Sequence, residues 1–506
     1  MAAKRPNILL ITSDQQHYST MGAVNDRIKT PALDRLCAEG MRFDRTYCPN
    51  PTCTPTRASI ITGMYPSQHG AWSLGTKLFE DVPTVGGMLQ RGGYRTALIG
   101  KGHFQPLRSV YGMESIEALT NQRNLDFWRS FRGPWYGFEH AELSRMHGCE
   151  CLAGGHYAIW MEEHGLKNWA DFFEAMPFEQ DKRNIRANRH WALPEEMHYT
   201  RWTGERTLAQ LDSAAEDGRP FFLWSSFHDP HPPYIVPEPW ASMYDPKDMV
   251  PGELTPGEHD NNAIHFRKTQ EDDKQWWEQA RLGEAIHGGH SHLHDREELQ
   301  KDMAVYYGMV SFMDSEIARI LDKLDSLGLA EDTIVIFSTD HGHFLGQHGL
   351  VAKAIHHYED VMKVPFVVRW PGEVPEGQVS QAILNLVDMA PTFLSAAGLD
   401  IPGAMTGVDQ LATLCGGDPA RTWSVTENHH GTRHFHMRSY VNQRYKITVY
   451  RDGDDGELFD LQEDPGEVKN LWRDPSASDV KSRLLHEFMQ ATLQSEPIRM
   501  PRIANA

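Results

Sequence analysis

The sequence predicts an α/β fold: a mainly parallel β-sheet flanked by helices, followed by a smaller C-terminal α+β part with a short antiparallel sheet. Two observations carry that prediction. Short apolar, β-branched runs end in ionisable residues, as buried strands do when they deliver ligands at the carboxyl edge of a sheet. Helical and polar segments separate these runs, the alternation expected when both faces of a sheet are covered. At 506 residues the chain exceeds one simple core, which suggests one large α/β domain with a smaller appendix.

Ile8–Thr12 is the first such run, and it passes into Ser13-Asp14-Gln15-Gln16, so a strand presents a carboxylate and a carboxamide at its end. A helix is predicted next, with Thr54 as its N-cap, Pro55 at the first helical position and Gly63 as the stop. Arg95–Ile99 runs into Gly100-Lys101-Gly102-His103, and Pro220–Phe227 runs into His228-Asp229-Pro230-His231. After a polar insertion and a helix, Thr333–Thr339 ends in Asp340-His341-Gly342-His343. From Arg369-Trp370-Pro371-Gly372 the composition turns to Pro and Gly, and Val387–Thr392 starts another helix. Tyr445–Tyr450 followed by Asp452-Gly453-Asp454 reads as part of a small antiparallel sheet. The boundary is set near residue 375, giving a large domain over 1–375 and a C-terminal subdomain over 376–506.

Cys53-Thr54-Pro55-Thr56-Arg57 is the most informative stretch. A residue just ahead of a helix meets unpaired backbone N–H groups and the positive end of the dipole, which favours an anion there. Arg57 adds a fixed positive fork one turn in. Taken alone, Cys53 is equally well a small buried hydrophobe. The strand ends favour chemistry. One strand ending in Asp or His is an ordinary capped turn, whereas four such ends point to a shared crevice. Asp14, Gln15, Asp340 and His341 make an oxygen-rich set with one nitrogen, suited to Ca²⁺ or Mn²⁺ and within range for Zn²⁺.

In order and spacing these segments resemble the sulfatase and phosphonate monoester hydrolase branch of the alkaline-phosphatase-like superfamily. The resemblance runs from Pro6-Asn7-Ile8 through the Cys53 motif, Lys101 and His103, Pro230-His231-Pro232-Pro233 and Asp340-His341-Gly342. It continues through Leu345–Leu350, Lys353 and Val364-Pro365-Phe366 to a closing pattern at Gly456–Leu461, Asp464-Pro465 and Asn470-Leu471. It implies an alkaline-phosphatase-like fold and an arylsulfatase-like, metal-dependent hydrolase of sulfate esters, promiscuous toward phosphonate and phosphate esters. In that family the cysteine of C-x-P-x-R is oxidised to formylglycine by a maturation enzyme, so Cys53 is expected to act as an aldehyde. Carried over by motif, the expected catalytic residues are Cys53, Arg57, Lys101, His103, His231 and Lys353. The expected site for one divalent cation is Asp14, Gln15, Cys53, Asp340 and His341. A homo-oligomer, dimer or tetramer, is also implied.

One departure matters. Many sulfatases carry a second Asp where this chain has Gln15, and Asn where it has His341. The Gln/His pairing is more like the phosphonate and phosphodiester hydrolases, and it lowers the ligand charge by about one, which weakens the case for Ca²⁺. Phosphonate or phosphodiester hydrolysis is therefore the alternative main activity. A non-catalytic anion-binding protein is the reading if Cys53 stays a thiol, and a cysteine hydrolase would need a base touching Cys53.

The 49 Lys and Arg against 69 Asp and Glu give a formal net charge of −20, which excludes nucleic acid as a partner. A small anionic ester remains compatible, because charges beyond a Debye length of about 8 Å are screened and the local cations set the field. Six scattered cysteines do not form a disulfide framework. Met1-Ala2-Ala3-Lys4-Arg5-Pro6 passes straight into the first strand with no signal-peptide apolar region, and no apolar run is long enough to cross a bilayer. A cytoplasmic enzyme with no membrane partner is the expectation. The insertions at about 112–200 and 245–300 read as loops and short helices that wall a pocket. Within them, His147, Cys149, Glu150 and Cys151 with His156, and His287, His290, His292 and His294, read as pocket or lid residues over irregular metal sites. His228, Asp229, His343 and His348 read as structural support.

Overall fold

Alternation along the first strand, β1 (Asn7–Ser13), decides the architecture. Ile8 and Leu10 face one apolar core and Leu9 and Ile11 the other, all of them fully buried. A strand with no wet face needs layers on both sides. The computed structural model describes residues 5–145, 153–174, 189–271, 295–353, 355–429 and 436–500.

Introduced in chain order, the strands of the large sheet are β1, β2 (Met41–Tyr47), β3 (Arg95–Gly100), β4 (His140–Leu143), β5 (Phe221–Ser226), β6 (Thr333–Thr339), β7 (Lys363–Val364), β8 (Phe366–Arg369) and β9 (Gln378–Asn385). Their spatial order is β7-β2-β8-β6-β1-β5-β3-β4, with β9 pairing beside β2. The central run β6-β1-β5-β3-β4 is parallel throughout, with Ile8 opposite both Phe222 and Ile334. The short β8 is antiparallel to its neighbours, so the sheet is mostly and not wholly parallel. Helices α1 (Pro31–Glu39), α3 (Tyr199–Asp217) and the long α4 (Arg296–Ser326) cover one face through Leu33, Leu36, Leu211, Val310, Ile317 and Leu321. On the other face lie α2 (Cys53–Thr62) and α5 (Met389–Ala396), which contribute Ile60, Ile61, Phe393 and Leu394.

Four antiparallel strands, β10 (Trp423–His429), β11 (His436–Asn442), β12 (Tyr445–Tyr450) and β13 (Gly456–Asp460), form the small sheet. Helix α6 (Ser478–Gln494) buries Leu484, Phe488 and Ala491 against it. The expected division near 375 falls ahead of β9, which belongs to the large sheet by its parallel pairing with β2. The Pro-Gly composition at 369–372 marks only the turn between β8 and β9. The small sheet is tied to the loop before α2: Thr426 donates to the Cys48 carbonyl at 2.7 Å, and the Glu427 N–H to the Pro49 carbonyl at 2.8 Å.

The described parts of the two insertions do hold loops and short helices, with a cluster of Tyr157, Trp160, Trp169, Phe173, Tyr199 and Trp202 beneath them. His147, Cys149, Glu150, Cys151, His287, His290, His292 and His294 lie outside the described residues. His156 is buried and structural, its Nδ1 accepting from the Leu143 N–H at 2.8 Å and its Nε2 donating to the Phe131 carbonyl at 2.7 Å. No described helix is long and apolar enough to cross a membrane.

Gly100 closes β3 at φ 104°, where a Cβ would overlap the Ser226 carbonyl oxygen. That same carbonyl accepts the Lys101 N–H at 3.0 Å, so the close approach aims Lys101. Gly100→Ala is expected to lower the free energy of unfolding by about 2–4 kcal/mol, from left-handed strain and backbone overlap together. Urea denaturation of parent and variant measures it.

Candidate active site

The carboxyl ends of β1 and β6 lie side by side, and the start of α2 faces them. Asp14, Cys53, Asp340 and His341 bring one ligand atom each to within 4.8 Å of one another, and all four are buried. Cys53 is the first residue of α2 and only 1% exposed. The helix thus begins ahead of the expected cap. Thr52 is the N-cap residue, its hydroxyl donating to Asn50 and not capping, and Pro55 sits third. Pro is tolerated there because no first-turn N–H has an intrahelical acceptor. The predicted stop is right: Gly63 adopts φ 64° and its N–H caps the Ser59 carbonyl.

Each potential ligand is oriented by a second contact. The His341 Nδ1–H donates to the Gly342 carbonyl at 3.0 Å, which turns the Nε2 lone pair toward Cys53 Sγ at 3.3 Å. Gln15 takes φ 63° and donates its backbone N–H to Asp340 Oδ1 at 3.0 Å. Its Nε2 bonds His343 Nδ1 at 2.9 Å, and His343 in turn meets the Tyr234 hydroxyl at 2.8 Å. The Gln15 Oε1 is buried with no hydrogen-bond partner among the described residues. An orphaned amide oxygen beside two carboxylates and an aimed imidazole fits a divalent cation.

Cations balance these groups. Lys101 Nζ pairs with Asp14 in a fully buried contact, and Arg57 Nε bonds Asp340 Oδ2 at 2.8 Å. Arg57 Nη1 also donates to the Lys101 carbonyl at 2.9 Å and to the Ser226 hydroxyl at 2.8 Å. Lys353 Nζ stands 3.1 Å from Cys53 Sγ and 3.0 Å from His231 Nε2. Burial alone would raise the Cys53 thiol, yet Lys101 and Lys353 outweigh it and hold the group below its ordinary value. Burial likewise opposes ionisation of Asp14, and Lys101, Arg57 and Lys353 overcome it. His231 is pushed well below its ordinary value by burial and then by Lys353, so it stays neutral.

Of the expected residues, Arg57, Lys101, His231 and Lys353 thus join the Asp14–Cys53–Asp340–His341 centre, directly or through one contact. His103 follows Lys101 by two residues, at φ 61°, with its backbone N–H bonded to Glu117 at 2.8 Å. Burial and then the neighbouring Arg145 press its pKa well below the ordinary range. Glu117, Arg145 and Ser226 were not read from the sequence. Ser226 ends β5 and could have been found as the position before the His228–His231 turn. Glu117 lies in an irregular loop and leaves no periodic signal. Asp229 proves to be a bracket: its carboxyl accepts from Tyr199 and Thr200, and its carbonyl holds the Asp14 N–H at 3.0 Å.

Residues 6–399 match the sulfatase family profile. The chain belongs to the sulfatase family. Residues 346–494 also match the family described as N-sulphoglucosamine sulphohydrolase, C-terminal. The sulfatase is 28% identical to an arylsulfatase of Clostridium perfringens over 482 residues, 92% of this chain and 90% of that one. It is 28% identical to the multifunctional alkaline phosphatase superfamily protein PehA of Trinickia caryophylli, covering 97% and 95% of the two chains. A phosphonate monoester hydrolase from Silicibacter pomeroyi shares the fold with a TM-score of 0.79 at 23% identity, over 98% of this chain and 96% of that one. The protein is a sulfuric ester hydrolase by family.

Behind the sulfatase site, His17 Nε2 and His348 Nε2 flank Asp360 at 3.0 and 3.5 Å, and His348 Nδ1 meets Glu258 at 3.0 Å. The Asp360 carbonyl holds the His343 N–H at 2.8 Å, so this network backs the Gln15 contact. Burial opposes the charge on His348, but Asp360 and Glu258 raise its pKa to about 9. A histidine raised on folding contributes stability that is full below its unfolded value of about 6.5 and is lost as pH rises through its folded value. The stability difference between the parent and His348→Gln is therefore expected to shrink between pH 6.5 and about 9, as read by urea unfolding across that range.

Proposed function

We propose that this sulfatase hydrolyses sulfate monoesters of the aryl type, using a formylglycine made by oxidation of Cys53 and one divalent cation. The observation that carries the reading is the placement of Cys53 at a helix start, in contact range of His341 and Lys353 and beside Asp14. Asp14, Gln15, Asp340 and His341, with the oxidised side chain at 53, would hold the cation, Ca²⁺ or Mn²⁺, and it supplies Lewis-acid stabilisation of developing negative charge. The hydrated aldehyde supplies the oxygen that attacks sulfur.

The remaining steps belong to the side chains. Arg57 orients the oxidised side chain with Nη2, which is buried and without a hydrogen-bond partner among the described residues. Lys101 and Lys353 stabilise the charge spread over the equatorial oxygens. Lys353, coupled to neutral His231 at 3.0 Å, delivers the proton to the departing alcohol oxygen. His103 takes the proton of the second hydroxyl so that the enzyme-side bond breaks and the aldehyde returns. A maturation enzyme that oxidises Cys53, action in the cytoplasm and assembly as a homo-oligomer complete the proposal. The thiols of Cys37, Cys48, Cys53 and Cys415, none in a disulfide among the described residues, support a reducing compartment.

Peptide mass spectrometry is expected to find the aldehyde at position 53 in active protein, and Cys53→Ala to fold normally while losing turnover by at least ~10³-fold. Normal activity in that variant sinks the nucleophile assignment.

Gln15 and His341 at the metal site support a second reading, in which a phosphonate monoester or phosphodiester is the main substrate. Matched aryl esters of sulfate, phosphonate and phosphodiester separate the two. The sulfate is expected to have the highest kcat/KM, and a phosphonate value far above it would reverse the order.

A further inference from the structure

The row of strand ends does not stop at Lys101. Beyond β3 lies β4 at the sheet margin, paired so that Gly100 stands opposite Leu143, and the Ser144 N–H donates to the Gly100 carbonyl at 3.1 Å. The next residue is Arg145. Its side chain leaves the same carboxyl edge that carries Asp14, Lys101, His231 and Asp340, and it is only 4% exposed.

A buried guanidinium carries five N–H groups and is costly unless they are satisfied. Arg145 has one ion pair among the described residues, Nη1 to Glu117 Oε1, and at 3.5 Å it is long. Glu117 is already engaged, its two oxygens accepting the N–H groups of His103 and Gln105 at 2.8 Å each. The Arg145 Nε is buried with no hydrogen-bond partner among the described residues. Unlike Arg57 and Lys101, then, Arg145 is not consumed by a carboxylate of the centre.

Its distance from the centre says what it can reach. Strands lie about 4.8 Å apart, and β5 and β3 separate β1 from β4, so the Arg145 backbone is offset from Asp14 by about 14 Å. The long side chain crosses part of that gap and comes within electrostatic range of Cys53 and His103. Its ion-pair partner, Glu117, is the residue that also holds the backbone of His103 and Gln105, so the guanidinium sits beside the loop that follows Lys101.

We propose that Arg145 binds an anionic substituent on the alcohol part of the substrate, a carboxylate or a second sulfate, so that the preferred esters carry two negative groups. This rests on the sulfate-ester reading above. Two oxygens of either group match the guanidinium fork, and burial of the guanidinium strengthens the pairing. The same feature disfavours esters with apolar or cationic alcohols, which would leave the buried charge unanswered.

The test uses aldehyde-bearing, metal-loaded enzyme with para-nitrophenyl sulfate and its analogues carrying a ring carboxylate ortho or meta to the ester. The parent is expected to prefer one carboxylated ester in kcat/KM. Arg145→Gln is expected to reduce that preference by about tenfold or more, and Arg145→Lys to keep part of it. A parent with no preference for either carboxylated ester, or a ratio unchanged in Arg145→Gln, overturns the assignment. Because the readout is a ratio within one preparation, a poorly folded fraction cancels. Failure to turn over any of the sulfates sinks the sulfate-ester reading itself, an outcome distinct from turnover without the preference.

Discussion

Two ionised carboxylates buried within a few ångströms of each other are the constraint on which this molecule depends. Asp14 and Asp340 end neighbouring strands, with the Gln15 N–H bridging from one to the other. Burial and mutual repulsion would both drive protons onto them. Lys101 and Arg57 reverse that, and Arg57 is itself pinned to the carbonyl of Lys101 and to Ser226. Strand geometry, the close approach at Gly100 and the alternation of charge along the sheet edge are therefore parts of one arrangement. The sheet can afford charged ends because its middle is apolar on both faces.

Much of this was legible in the chain. Parallel strands buried on both sides appear as continuous apolar runs, so Ile8–Thr12 and Thr333–Thr339 were found, and their ends carried Asp14, Asp340 and His341. Strand β4 leaves no such signal, because His140 and Glu142 interrupt its apolar pattern; the buried Glu142 carboxylate is answered by His140 and Arg206. Arg145, which follows that strand, is equally silent in the sequence. The helix start was misplaced because Thr52 and Thr54 offer the same cap chemistry, and Pro55 fits any first-turn position. The boundary near 375 was drawn on composition, whereas β9 is defined by pairing with a strand more than 330 residues earlier in the chain.

The small C-terminal sheet acts on the site at one remove. Its first strand grips the turn at Cys48–Asn50 through Thr426 and Glu427, and the Asn50 side chain donates back to the Glu427 carbonyl at 2.6 Å. That turn leads directly into Cys53. Edits to the antiparallel sheet are thus edits to where α2 begins, even though none of its strands belongs to the row of ligands.

Every residue of α2 is buried, from Cys53 to Thr62. The helix therefore has no solvent-facing side on which a change of side chain could be absorbed. The direction in which position 53 points is thus set by packing along the whole helix, and a substitution two turns away from it carries to the strand ends it faces.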